Sequence, residues 1–432
     1  MGTTTEASGL TAQYKIEVPD PWNGTLVLYS HGYSFGPSPA TDVAADDPAT
    51  KAWLLGHGYA LAGSAYATSG WALQQALEDQ IAVLDTFNKT TFGTPKRTIA
   101  WGHSLGGMIT AGLVQLHPER FSGALPMCGV VAGGPGVWNQ GLDSEFALTT
   151  LQAPFKMVNF TSFGDAANNF NLASAALVAA QKNPEGRARI ALSAALADVP
   201  GWFKPGSAEP AANDYAAQEV NQLAWDNNPD FLFAFFGRAE LEARAGGNFS
   251  WNTGVDYRVQ LSHSVDRAEV QALYAAAGLD LNTDLDKLNA APRIAANPSA
   301  VAYLTKYITY TGELNMPVLT MHTTGDGLVE VTDENAYASV VRSAGDNSML
   351  RQVFVHRAGH CAFTPAETIT AFKTLVHRID TGRWEDSTDP AAMNANAAAF
   401  GAGPPFNILP SSFINFHPDK FLRPFDARDT EG

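Results

Sequence analysis

A serine hydroxyl attacks a carbonyl readily only when an imidazole takes its proton and a carboxylate orients that imidazole. This chain holds a candidate for each part. Ser104 stands in Gly102-His103-Ser104-Leu105-Gly106-Gly107, a G-x-S-x-G pattern. That chemistry needs a strand that turns sharply into a helix with the serine at the apex. Glycines two before and two after let strand and helix approach, and the helix start turns backbone N–H groups toward developing negative charge. The bare pattern is weak in a chain with 38 glycines. Its context strengthens it, because Arg97–Trp101 reads as the preceding strand and Met108–Leu116 as the following helix. The candidate base is His360, in Arg357-Ala358-Gly359-His360-Cys361-Ala362, just after the candidate strand Arg351–His356. The candidate carboxylate is Asp326, in the turn Thr323-Thr324-Gly325-Asp326-Gly327 after the strand Val318–His322. Its rivals Glu330 and Asp333 are expected further along, entering a helix as solvated charges. Serine, aspartate, histidine is the chain order found where a serine sits on such an elbow. Upstream, Ser30-His31-Gly32-Tyr33 ends another candidate strand. The N–H groups of Tyr33 and Leu105 are therefore the candidates for holding an oxyanion. His31 reads as a structural histidine, and His103 is expected to point away from the reacting side of the turn.

These residues need a scaffold that delivers several strand ends to one edge. The first part of the chain alternates short apolar runs with helix-like stretches, as in βαβ units with a mostly parallel sheet. Candidate strands are Tyr14–Val18, Thr25–Ser30, Ala60–Ala65, Arg97–Ala100 and Ala124–Cys128. Trp71–Asn88 carries helical periodicity, with Leu73, Leu77, Ile81, Leu84 and Phe87 on one face. A second helix is expected from Leu105 to Leu116, stopped by His117-Pro118. From about Val131 to Asn315 the pattern changes to alanine-rich helical stretches, including Leu172–Gln181, Ala188–Ala197, Asp214–Ala224 and Arg267–Ala277. Strand signals return at Pro317–His322 and Leu350–His356. The middle therefore reads as helices inserted into a sheet domain. The last 50 residues, with Phe406, Phe413, Phe416, Phe421 and Phe425, are expected to wrap the core in extended form.

Composition sets outer bounds. The 432 residues are 45% hydrophobic and 16% charged, an ordinary globular balance, with a formal net charge of -16 and a pI near 5.0. That acidity disfavours nucleic acid and anionic membrane surfaces as partners. No run approaches the roughly 18 apolar residues of a membrane span. Met1-Gly2-Thr3-Thr4-Thr5 reads as an expression scar ahead of a mature terminus. The two cysteines, Cys128 and Cys361, are too few for a zinc site by themselves. They are either buried thiols or one disulfide.

With elbow, histidine-glycine turn, strand-end aspartate and glycine-histidine in place, the chain resembles the α/β-hydrolase superfamily, in the arm of secreted lipases, esterases and tripeptidyl- or prolyl-type peptidases. The resemblance covers about 14–131 and 316–383. It implies an α/β-hydrolase fold, with a mostly parallel central sheet flanked by helices and a large helical cap inserted after the sixth strand. The implied division is a discontinuous core at 1–131 and 316–384, a cap at 132–315 and a packed C-terminal tail at 385–432. It implies cleavage of carboxylic esters through an acyl-enzyme on Ser104, Asp326 and His360, with no metal and no organic cofactor. The substrate would be a small or polymeric ester, and the protein would be secreted, its signal peptide removed. Similarity to tannase and feruloyl-esterase hydrolases, in which a cysteine beside the histidine is disulfide-bonded near the nucleophile, implies a Cys128–Cys361 bridge. The match is half, since His103 occupies the place beside Ser104 where those enzymes put the partner cysteine. An exopeptidase or amidase on the same triad is the alternative, and a non-catalytic binding protein on the same scaffold a further one. An exopeptidase would need cap carboxylates for a free amino terminus; Glu145, Glu219, Glu240 and Glu242 are available, but read first as solvated helix faces. Phe231, Phe233, Phe235 and Phe236 would either line an acyl pocket or form cap core, with core the simpler reading.

Overall fold

Thr25–Ser30 (β3), Ala60–Ser64 (β4) and Gly123–Met127 (β6) are buried along their whole length. Strands covered on both faces belong in the middle of a parallel sheet, with helices above and below. The structure, a computed structural model, describes residues 1–5, 8–39 and 43–425. It adds Gly2–Thr5 (β1), Thr11–Glu17 (β2), Arg97–His103 (β5), Val318–Gly325 (β7), Leu350–Ala358 (β8) and Phe413–Ile414 (β9). The nine strands form one sheet in the order β1-β2-β4-β3-β5-β6-β7-β8-β9. The run from β4 through β3, β5, β6 and β7 to β8 is parallel, while β1, β2 and β9 pair antiparallel at the two edges. Parallel neighbours need crossovers, so every central strand ends on the same side of the sheet.

The helices that follow the first strands are Pro48–Gly56 (α1), Leu73–Asn88 (α2) and Leu105–Leu116 (α3). Leu73, Leu77, Leu84 and Phe87 of α2 and Met108, Ile109 and Leu113 of α3 pack with Leu26, Leu28 and Ala62 into one core layer. On the opposite face Val27, Ile99, Trp101, Leu319 and Val355 meet Phe372 and Leu375 of the helix Pro365–Thr381. Between β6 and β7 the chain is helical, from Gly134–Leu151 (α4) to Pro298–Tyr307, and it builds its own apolar core around Leu142, Leu192, Phe235 and Tyr257.

Several expectations need correction. Residues 2–5, read as a scar, form an edge strand on β2. The signal was too short and too polar to stand apart from a flexible end. The tail is not uniformly extended. It contains the helix Pro390–Ala398, capped by Asp389, before β9. Phe413 and Phe421 are buried. Residues 426–432 of that tail lie outside the described residues.

Candidate active site

Strand β5 ends at His103, α3 begins at Leu105, and Ser104 bridges them with φ 56° and ψ -126°. This left-handed region is strained for a residue with a side chain and persists only where the surroundings enforce it. The enforcement is visible in the glycines. A Cβ on Gly102 would lie 2.4 Å from the Ser30 carbonyl oxygen, and one on Gly106 would lie 2.0 Å from it. A Cβ on Gly107 would meet the Gly129 backbone at 2.8 Å. The three glycines thus let α3 start against β3 and β6. The Ser104 N–H donates to the Met127 carbonyl at 3.0 Å, tying the apex to the end of β6.

Asp326 follows β7 and is 1% exposed. Its Oδ1 accepts from the backbone N–H groups of Leu328 and Val329, each at 3.1 Å. His360 follows β8 after Gly359, whose φ of 105° makes the turn. The Thr323 hydroxyl fastens that turn by donating to the Gly359 carbonyl at 2.8 Å. His360 Nδ1 lies 2.8 Å and 3.0 Å from the two Asp326 oxygens. Burial pushes the Asp326 carboxyl up, but the adjacent His360, then His322 and the Val329 N–H, more than offset this and hold it below its ordinary range.

Cys128 and Cys361 are disulfide-bonded, with Cα atoms 5.3 Å apart. Cys128 directly follows Met127, the residue that holds the Ser104 N–H, and Cys361 directly follows His360. The covalent link therefore joins the loop of the histidine to the strand end that holds the serine. The other ring nitrogen of His360, Nε2, stands 3.4 Å from Cys361 Sγ.

Ser104, Leu105 and Tyr33 line one cleft. A Cβ on Gly32 would lie 3.4 Å from Ser104 Cβ, so the turn before Tyr33 passes close against the serine. Trp71, Val130, Phe231, Phe233 and Leu328 supply apolar walls, and Glu145, Asp226, Asp230 and Glu330 supply carboxyls. A Cβ on Gly327 would lie 2.5 Å from the Trp225 ring, so this glycine lets the helical segment close over the Asp326 loop.

His31 stacks on Tyr66 at 3.9 Å between centroids, and His103 Nε2 lies 3.4 Å from Asp46. Burial first, and then the nearby His360, pull the His103 imidazole down to about 4 against the opposing pull of Asp47. Glu330 and Asp333, expected as solvated charges, are 9% and 0% exposed. Glu145, Glu219 and Glu242, expected on solvated helix faces, are buried as well. Their partners lie far along the chain, Arg238 for Glu145, the Gln181 amide for Glu219 and the N–H groups of Asn159 and Phe160 for Glu242, so helical periodicity does not report the burial. Of the four phenylalanines, Phe235 is fully buried in the core of the helical segment, while Phe231 and Phe233 also border the cleft.

Three neighbours of the site were not singled out from the sequence. His322, in β7, is fully buried with Nδ1 3.1 Å from Glu334, Nε2 2.9 Å from the Val329 carbonyl, and Asp326 Oδ2 3.6 Å away. Burial lowers its pKa, but Glu334 and then Asp326 override this and raise it to about 9. Asp226 and Asp230 flank Asn227-Asn228-Pro229, which reads locally as a loop rather than as a cleft wall.

No helix of the described residues is long and apolar enough to cross a membrane. The sequence pattern of the prolyl oligopeptidase family matches residues 44–133. An o-phthalyl amidase of Xanthobacter agilis is 30% identical over 423 residues, covering 91% of this chain and 90% of the amidase. Among solved structures, feruloyl esterase B from Aspergillus oryzae aligns with 88% of this chain and 80% of its own, at 13% identity and a TM-score of 0.42. The enol-lactonase from Burkholderia xenovorans aligns with 88% of this chain and 99% of its own, at 13% identity and a TM-score of 0.38. Likenesses this distant bear on neither substrate nor site. The long amidase match does carry weight, and with the sheet topology it means that the chain belongs to the α/β-hydrolase superfamily of serine hydrolases, in the family of the Xanthobacter amidase.

Proposed function

We propose that Ser104, His360 and Asp326 are the catalytic triad of an acyl hydrolase that cleaves carboxylic esters and amides. The observation that carries the reading is the His360–Asp326 pair at 2.8 Å, on a loop tied by disulfide to the strand end behind Ser104. Ser104 Oγ attacks the substrate carbonyl carbon while His360 takes its proton. Asp326 fixes the imidazole tautomer and stabilises the imidazolium. The N–H groups of Tyr33 and Leu105 receive the oxyanion, a donor of this kind contributing about 3 kcal/mol. Collapse breaks the bond to the leaving alcohol or amine, which takes the proton from His360. Water then attacks the acyl-enzyme by the same route and releases the acid.

The segment 132–315 is read as a cap over a core of 1–131 and 316–384, with 385–432 as a tail on that core. In support, the cleft beside Ser104 takes its walls from both α4 and the loop after β7. The disulfide favours an oxidising, extracellular setting. Esters are the expectation from the sequence, and the amidase relative favours amides. Comparing p-nitrophenyl esters with p-nitroanilides of the same acyl groups separates the two.

Ser104→Ala is expected to fold normally and lose hydrolysis by about 10⁴-fold or more. A serine-directed phosphonate should label Ser104 in the native protein. Labelling at another serine, or activity retained in Ser104→Ala, refutes the assignment.

A further inference from the structure

The cleft beside Ser104 carries more acid than the proposed hydrolysis uses. Asp226 is 1% exposed and Glu145 is 4% exposed, yet Asp226 Oδ2 and Glu145 Oε2 are buried without a hydrogen-bond partner among the described residues. Both oxygens of Asp230 are in the same condition. All three residues line the cleft together with Glu330. Unpaired buried carboxyls cost stability, so a group of them around one cavity calls for an explanation outside the chain itself.

The cation at hand does not supply one. Arg238 lies over the Trp138 and Phe249 rings and reaches Glu145 at 3.9 Å, while Asp226, Asp230 and Glu330 form no ion pair among the described residues. Burial pushes Glu145 up to about 8 and Asp226 up to about 7, and carries Asp230 and Glu330 well above the usual carboxylate range. After burial, the charges that weigh most on Asp226, Asp230 and Glu330 are other carboxylates, so positive charge from the chain reaches Glu145 but does not offset these three. Among the described residues no three histidine, cysteine or acidic side chains are placed to hold a metal ion. The geometry thus suits a larger cation whose charge is shared among separated carboxylates. The rest of the wall suits an apolar body, since Trp71, Trp138, Phe231 and Phe233 face the same cleft.

We propose that this cleft binds an organic cation, a primary ammonium carried on an aromatic or aliphatic body, and that Asp226, Asp230 and Glu145 select acyl substrates bearing such a group. The proposal rests on the assignment of Ser104 as nucleophile for its catalytic consequence, but the binding itself does not. A bound ammonium supplies N–H donors to the orphaned oxygens and favours their ionised form. The indole N–H groups of Trp71 and Trp138, also without partners among the described residues, would serve a carbonyl of the same ligand.

Benzylammonium, benzyl alcohol and benzoate share a body and differ in head-group charge. Each is titrated into the wild-type protein by calorimetry and tested as a competitive inhibitor of p-nitrophenyl ester hydrolysis at pH 8. Benzylammonium is expected to bind at least tenfold more tightly than the other two. Asp226→Asn with Asp230→Asn should remove that preference, circular dichroism reporting whether the variant is folded. If it does not fold, the three wild-type affinities decide alone. Equal binding of the alcohol, or tighter binding of benzoate to neutral carboxyls acting as donors, overturns the proposal, as does a preference that survives in the folded double variant. Phosphonate labelling separates the two failures. A labelled Ser104 without ammonium preference sinks this inference and leaves the nucleophile standing, while ammonium preference without labelling does the reverse.

Discussion

Asp326 and Asp226 are both 1% exposed, both aspartates, and both placed near one cleft, yet their surroundings push them in opposite directions. Asp326 sits at the end of a parallel strand. There two backbone N–H groups and His360 meet its oxygens, and a second histidine, His322, stands behind it. Its carboxyl is held below the ordinary range despite burial. Asp226 sits in the helical segment, keeps an oxygen without a partner and is pushed up to about 7, by burial first and then by Glu219. Burial by itself favours the neutral acid, and only partners reverse it. The sheet edge supplies partners because loops after strands present exposed N–H groups and neighbouring loops converge there. The helices satisfy their own backbone and leave an inward-facing acid to find side chains or a ligand.

The sharpest way to break the comparison is to neutralise the partnered acid. Asp326→Asn keeps the shape and removes the charge proposed to orient His360. Hydrolysis should fall by about 10³- to 10⁴-fold, read as kcat on any accepted substrate. A loss under tenfold would place the orienting carboxylate elsewhere, with Glu330 next in line.

The second test loosens the frame that gives Asp326 its partner. Cys128 and Cys361 are 233 residues apart in sequence, so their bond closes a long loop. Replacing both by serine is expected to cost about 2 to 4 kcal/mol in denaturant unfolding. Activity should fall as well, because His360 adjoins the released residue. Unchanged activity with lowered stability would show that β8 and the Thr323–Gly359 hydrogen bond hold the histidine unaided.

A smaller effect is expected at the unpartnered acid, and its sign with pH is the informative part. Asp226 has its pKa raised on folding, so its ionisation opposes the folded state. The opposition is absent below the ordinary aspartate value of about 4 and grows as pH rises to about 7, where it levels off. Asp226→Asn should therefore gain on the wild type across that window, by on the order of 4 kcal/mol at its upper end. Asp326 has the opposite sign, its contribution being present above the ordinary value and lost as pH falls through its lowered pKa. Urea midpoints of the wild type and Asp226→Asn at pH 4, 5.5, 7 and 8.5 check this. A gap that does not widen with pH would mean that Asp226 is ionised and satisfied in the folded protein.

The strand-end positions of Ser104, Asp326 and His360 were legible in the sequence because each belongs to a short pattern that backbone geometry demands. A serine between glycines two residues away marks a strand-to-helix turn, and a residue just past an apolar run marks a strand end. The parallel core was legible for a related reason, since strands buried on both faces read as continuous apolar runs. Pairing of Cys128 with Cys361 was not determined by spacing, because 233 residues of chain leave their separation open. Only the register of β6, β7 and β8 brings the Cα atoms to 5.3 Å. The same limit hid His322, whose partners come from Val329 and Glu334 across a turn, and Asp226 and Asp230, whose acid-lined cleft forms where helices from one segment meet loops from another. Local sequence fixes which backbone shapes are cheap, and so it marks the residues at strand ends. Whether a buried charge is satisfied depends on atoms far away in the chain, and that was decided by the tertiary structure alone.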